Sequence, residues 1–81
     1  MKAIEWTDAA LDDMAALDKS IARRIKQAVE RFAETGVGDL KKLRGIDPPE
    51  HRLRVGDYRV RFHLGADALM ILRVRNRKEA Y

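Results

Sequence analysis

Arginine stands at every second position on both sides of a Gly-Asp pair. Arg52 and Arg54 precede it, Arg59 and Arg61 follow it, and Arg73, Arg75 and Arg77 repeat the spacing further on. A guanidinium stays charged at any physiological pH, and its planar fork grips phosphate through paired N–H donors. Alternation with period two places such residues on one face of a β-sheet. Like charges in cross-strand pairs repel, so an arginine face costs stability until an anion arrives. The chemistry these residues offer is therefore phosphate binding and stabilisation of developing negative charge. Proton transfer has fewer candidates. His63 shares the arginine face by alternation and otherwise reads as a surface histidine at a strand end, while His51 precedes the strand.

The elements that position these residues are legible from periodicity. Residues 2–6, "KAIEW", alternate weakly as a short strand, after which Thr7 or Asp8 offers a helix N-cap. Ala10, Leu11, Met14 and Leu17 recur at helical spacing, and Ile21, Ile25, Ala28, Val29 and Phe32 form a second helical stripe. Gly36 and Gly38 stop that helix, giving a helical hairpin from residue 8 to about 35. "DLKKLRGIDPPE" reads as a connection, since Pro48-Pro49 excludes helix or central strand. "HRLRV", "YRVRFHL" and "ALMILRVRNR" then read as three antiparallel strands joined by turns at Gly56-Asp57 and Gly65-Ala66-Asp67. Leu53 and Val55, then Val60, Phe62 and Leu64, then Met70, Leu72 and Val74 form the apolar face expected to pack on the helices. Trp6, Phe32 and Tyr58 read as packing residues. The class is α+β, with the N-terminal strand and helical hairpin on one face of a small antiparallel sheet.

Composition narrows the function classes. The 81 residues bound the chain to one domain, residues 1–81, with one core. Cysteine is absent, which excludes disulfides and thiolate zinc sites and suits a cytoplasmic protein. With two histidines and no ligand spacing, no metal is expected, and no cofactor motif is present. No apolar run approaches the roughly 18 residues of a membrane span, and the N-terminus lacks a signal-peptide apolar region, so no membrane partner is expected. The formal charge of +4 conceals an asymmetry. Residues 1–40 hold 6 basic and 8 acidic side chains, whereas residues 41–81 hold 11 and 5. A positive field concentrated in one half points to a polyanionic partner, most often nucleic acid.

"KKLRG" at 41–45, "GDYRV" at 56–60 and "RNRKEAY" at 75–81, in this order along nearly the whole chain, resemble the toxins of the RelE/ParE superfamily of type II toxin–antitoxin systems. The resemblance implies a fold like that of the small microbial ribonucleases. It implies a metal-independent endoribonuclease that cuts messenger RNA in the ribosomal A site, where the ribose 2′-OH attacks the adjacent phosphorus and the 5′-oxygen leaves. The family's basic strand pair falls on Arg52 and Arg54, its G-x-Y-R arginine on Arg59, and its late arginine and tyrosine on Arg75 and Tyr81. Arg77 matches the arginine of an H-R-x-x-x-Y motif, with Asn76 in place of the histidine.

Such a cleavage needs a proton acceptor, a proton donor and positive charge at the phosphoryl oxygens. Without a clear His/Glu pair, Tyr81 is the candidate base, its anion favoured by nearby arginines. Arg52 and Arg54 would hold the scissile phosphate, Arg59 would stabilise developing charge, and Arg75 would act electrostatically at the leaving oxygen. Arg61, Arg73, Arg77, Lys41 and Lys42 are candidate RNA contacts, with Arg44 beside them. A cognate antitoxin, RelB-like or other, is the implied protein partner, and the ribosome with its mRNA the implied target. The competing reading is a ParE-like inhibitor of DNA gyrase with no ribonuclease site. A plain RNA-binding module is a third, disfavoured by an aromatic content of 6%.

Overall fold

The structure, a computed structural model, describes residues 1–45 and 48–78. The chain runs β1 (Ala3–Trp6), α1 (Asp8–Ala15), α2 (Lys19–Thr35), β2 (Asp39–Leu43), β3 (Glu50–Val55), β4 (Tyr58–Leu64) and β5 (Ala68–Asn76). The five strands form one sheet in the order β1-β5-β4-β3-β2. β2, β3, β4 and β5 pair antiparallel, whereas β1 pairs with β5 in parallel, so the sheet is mixed.

Local chemistry sets the helix ends. Thr7 caps α1, its hydroxyl accepting the Ala10 N–H at 3.2 Å. Gly36 ends α2 in the left-handed conformation, φ 75°, with its N–H bonded to the Phe32 carbonyl. Ile25, Val29, Phe32 and Ala33 on α2 are buried against Leu53, Val60, Phe62, Leu69, Ile71 and Val74 of the sheet. The Phe32 and Phe62 rings meet with centroids 5.5 Å apart. Trp6 and Tyr58 pack at the edge of this core, and no helix among the described residues is long and apolar enough to cross a membrane.

Two sequence expectations are corrected. Residues 39–43, read as part of a connection, form the edge strand β2, held by its ladder to β3 rather than by an apolar pattern of its own. In β5 the expected apolar set of Met70, Leu72 and Val74 is replaced by Leu69, Ile71 and Val74, and Met70 is exposed. The cause is a β-bulge: Phe62 pairs with Ile71 and Arg61 with Arg73, so Leu72 is the extra residue and the strand changes phase there. The phase before the bulge is fixed by β1, whose pairing ends at Trp6 and Ile71. Past that point α1 takes over the edge of β5. The Thr7 hydroxyl lies 2.9 Å from the Ile71 carbonyl and 3.1 Å from that of Leu72, and Asp13 accepts the Val74 N–H at 2.9 Å.

Candidate functional site

Strand register turns the alternating arginines into two rows that cross the sheet. One row is Lys41, Arg52, Arg61 and Arg73, and the other is Asp39, Arg54, Arg59 and Arg75. Six arginines from three adjacent strands thus share the face opposite α2, the rows two residues or roughly 7 Å apart. This is the arrangement expected from alternation. The bulge does not disturb it, because Arg73 and Arg75 lie beyond Leu72.

The face is sorted by charge pairing. Arg61 donates from Nε to Glu50 Oε1 at 2.8 Å, and its Nη2 lies against the same oxygen. Arg73 grips Asp13 through Nε to Oδ2 at 2.9 Å and Nη2 to Oδ1 at 3.1 Å. The Arg73 hydrogen bonds hold the Asp13 carboxyl below the usual carboxylate range; burial opposes this, and the Val74 amide assists. By contrast Arg52, Arg54, Arg59 and Arg75 make no ion pair among the described residues. Arg59, on the central strand, has its Nη1 buried without a hydrogen-bond partner among the described residues. A buried donor left unsatisfied is costly, and an incoming phosphoryl oxygen would satisfy it.

The remaining candidates are dispersed. Arg77 sits in the turn after β5, its N–H bonded to the Asp57 carbonyl at 2.7 Å and its guanidinium 4.0 Å from the Asp57 carboxylate. Lys41 lies in the first arginine row, but Lys42 pairs with His51 and so faces the helix side. Arg44 is exposed in the turn after β2. Tyr81 lies outside the described residues. His51, expected before the strand, is inside β3 on the core side, its ring stacked on Phe62 and its buried Nδ1 without a hydrogen-bond partner among the described residues. His63 is on the arginine face, with Nδ1 3.0 Å from the Pro49 carbonyl oxygen.

Two residues that sequence reasoning did not single out join the site. Glu50, read as a turn residue, begins β3, and its alternation with Arg52 and Arg54 is the signal that would have placed it on their face. Asp13 reaches Arg73 across 60 residues of sequence, and nothing local announces that contact. On the opposite side, a cleft of about 430 Å³ runs between α2 and the β2–β3 end of the sheet, lined by Arg24, Ala28, Arg31, Val37, Leu53 and Val55.

The family model for the ParE toxin of the type II toxin-antitoxin system, parDE, matches residues 4–81. No curated protein sequence matches the chain. Among solved structures, it is similar to a chain of the RelB-RelE antitoxin-toxin complex from Methanococcus jannaschii, with 26% identity over 91% of each chain and a TM-score of 0.74. It is similar to a chain of the toxin-antitoxin complex RelBE2 from Mycobacterium tuberculosis, at 26% identity over 93% of this chain and 96% of that one, TM-score 0.64. A chain of the archaeal RelE-RelB complex from Pyrococcus horikoshii OT3 shares the fold, at 23% identity over 98% of each chain and a TM-score of 0.79.

Proposed function

We propose that this chain, which belongs to the ParE toxin family of type II toxin–antitoxin systems, is an endoribonuclease that cuts mRNA on the ribosome. The observation that carries this reading is the division of the arginine face. Arg61 and Arg73 are engaged by carboxylates, while Arg52, Arg54, Arg59 and Arg75 make no ion pair among the described residues. Those four are the arginines that the RelE resemblance picks out. In this reading Arg52 and Arg54 hold the RNA phosphates, Arg59 stabilises charge on the phosphoryl oxygens, and Arg75 stabilises the leaving oxygen. Arg61, Arg73 and Lys41 extend the positive surface along the strand of RNA, and the resemblance assigns the base to Tyr81. The target places the protein in the cytoplasm.

A cognate antitoxin is the protein partner in this reading, supported by the similarity to chains of antitoxin-toxin complexes. An acidic, partly apolar antitoxin segment suits the cleft beside α2, where Arg24 and Arg31 flank Ala28, Val37 and Leu53. Inhibition of DNA gyrase is the second reading, favoured by the match to a ParE rather than a RelE family model. Inducible expression separates the two. Mapping mRNA 5′ ends in ribosome-bound message is expected to show new cuts with wild type and none with Arg59→Ala or Arg75→Ala. Stalled DNA replication with continuing translation would replace the ribonuclease reading with the gyrase one.

A further inference from the structure

Glu50 and His63 lie just beyond the last pair of the β3–β4 ladder. His51 pairs with Phe62, so the residue before one and the residue after the other flank that pair on the arginine face. Their closeness is recorded directly, because the His63 ring contacts the carbonyl of Pro49, the neighbour of Glu50. Arg61 stands one step along β4 from His63 and binds Glu50 through Oε1. A carboxylate, an imidazole and a guanidinium thus converge beside the middle of the first arginine row.

The hydrogen bonds define what each group can do. A carbonyl oxygen only accepts, so His63 Nδ1 carries a proton and Nε2 is the exchanging nitrogen. The two contacts between Arg61 and Glu50 both run to Oε1, and Oε2 makes no hydrogen bond among the described residues. Imidazole and carboxylate are the side chains most often used to move protons in such displacements.

We propose that Glu50 and His63 are the general base and general acid of RNA cleavage on this face, with the neighbouring arginine row supplying positive charge at the phosphate. The assignment rests on the ribonuclease reading; it moves proton transfer away from Tyr81, and it moves the scissile phosphate to the first arginine row, so that Arg54, Arg59 and Arg75 hold the phosphates that flank it. Glu50 Oε2 takes the proton of the ribose 2′-OH as the 2′-oxygen bonds to phosphorus. The bond from phosphorus to the 5′-oxygen breaks, and Nε2 of the His63 imidazolium gives its proton to that oxygen. The neutral ring left behind is the Nδ1–H tautomer that the Pro49 carbonyl holds. The 2′,3′-cyclic phosphate remains on one fragment, and exchange with water resets both groups. Among the described residues, the other charges on this face are Arg52 and Lys41 from the same row, Arg73 with its Asp13 partner, and the second row of Asp39, Arg54, Arg59 and Arg75.

Single-turnover cleavage on ribosomes programmed with a defined mRNA tests the pair. Glu50→Gln keeps an acceptor for Arg61 and loses the base, while His63→Asn keeps a donor for the Pro49 carbonyl and loses Nε2. Each variant is expected to cut roughly 100-fold more slowly than wild type or worse, with ribosome binding unchanged. The pH profile adds a readout that a structural role would not move: Glu50→Gln loses the acidic limb and His63→Asn the alkaline limb. An mRNA with sulfur in place of the scissile 5′-oxygen needs no leaving-group proton. It is expected to restore His63→Asn to near the wild-type rate and to leave Glu50→Gln slow. Wild-type cleavage with both variants equally active would overturn the pair and leave the ribonuclease reading standing. No rescue of His63→Asn by the sulfur substrate would overturn the acid assignment. A wild-type protein that cuts nothing would overturn both.

Discussion

Asp13→Ala tests the contact by which α1 holds the edge of β5. The wild-type carboxylate accepts two hydrogen bonds from Arg73, at 2.9 and 3.1 Å, and one from the Val74 amide at 2.9 Å. The Arg73 side chain is 38% exposed, so water reaches it when Asp13 is lost, and that share of the loss is about 0–1 kcal/mol. The Val74 amide lies on a half-buried strand edge and loses its acceptor, at a cost of about 1–3 kcal/mol. The expected destabilisation is thus about 1–4 kcal/mol, or roughly 5–30 °C in melting temperature for a domain of this size.

The pH dependence of that loss has a definite sign. Arg73 holds the Asp13 carboxyl below its ordinary value in the folded protein. A carboxyl lowered on folding contributes stability that is full above its unfolded value, about 4, and lost as pH falls through the folded value. Urea denaturation of wild type and Asp13→Ala is therefore expected to show the widest gap near neutrality, narrowing as pH falls from about 5 to about 2. A gap below about 0.5 kcal/mol at neutral pH, within the range of ordinary surface substitutions, would refute the reasoning. So would a gap that stays constant into acid.

Three further outcomes follow from the same geometry. Arg59→Met removes a guanidinium whose Nη1 has no hydrogen-bond partner among the described residues, so its melting temperature is expected to equal or exceed that of wild type, while on the proposed ribonuclease reading RNA cleavage falls about 10²–10³-fold. Leu53→Ala, at a site 2% exposed beneath α2, is expected to cost about 2–5 kcal/mol in chemical denaturation, more than any single arginine on the opposite face. Arg52→Ala is expected to reduce the salt dependence of single-stranded RNA binding by about 0.7 in the log–log slope, the signature of one lost phosphate contact. Titration of RNA affinity against salt, with both proteins side by side, reads that difference.

Much of this molecule is written locally. Period-two alternation in "HRLRV" and "YRVRF" around Gly56, which adopts φ 59°, is enough to specify the β3–β4 hairpin, its buried side and its arginine side. The Ile25, Val29 and Phe32 stripe likewise specifies which side of α2 is buried. β2 was hidden because "DLKKL" is an exposed edge strand whose stability comes from β3, so its own residues carry no alternating apolar signal. The phase of β5 was hidden because "ALMIL" is apolar throughout. Only pairing with β1 and the bulge at Leu72 decide which of its residues turn inward. At the site, the arginines were legible as a set, but their sorting was not. Which of them meet carboxylates depends on Asp13, far away in sequence, and on Glu50 continuing the strand instead of turning away from it.

The parallel pairing of β1 with β5 also governs when the arginine face is completed. Ala3 lies beside Ala68, so the first strand leaves its own ribosome without a partner and waits for one made much later. Helices and hairpins close within microseconds, whereas pairing of distant segments is delayed. At about 5–20 residues per second of synthesis, the wait amounts to several seconds. The late strand also brings Arg73 and Arg75, so a nascent chain carries only part of the arginine face during that time. Topology thus gives the cell an interval in which the chain exists and the finished site does not.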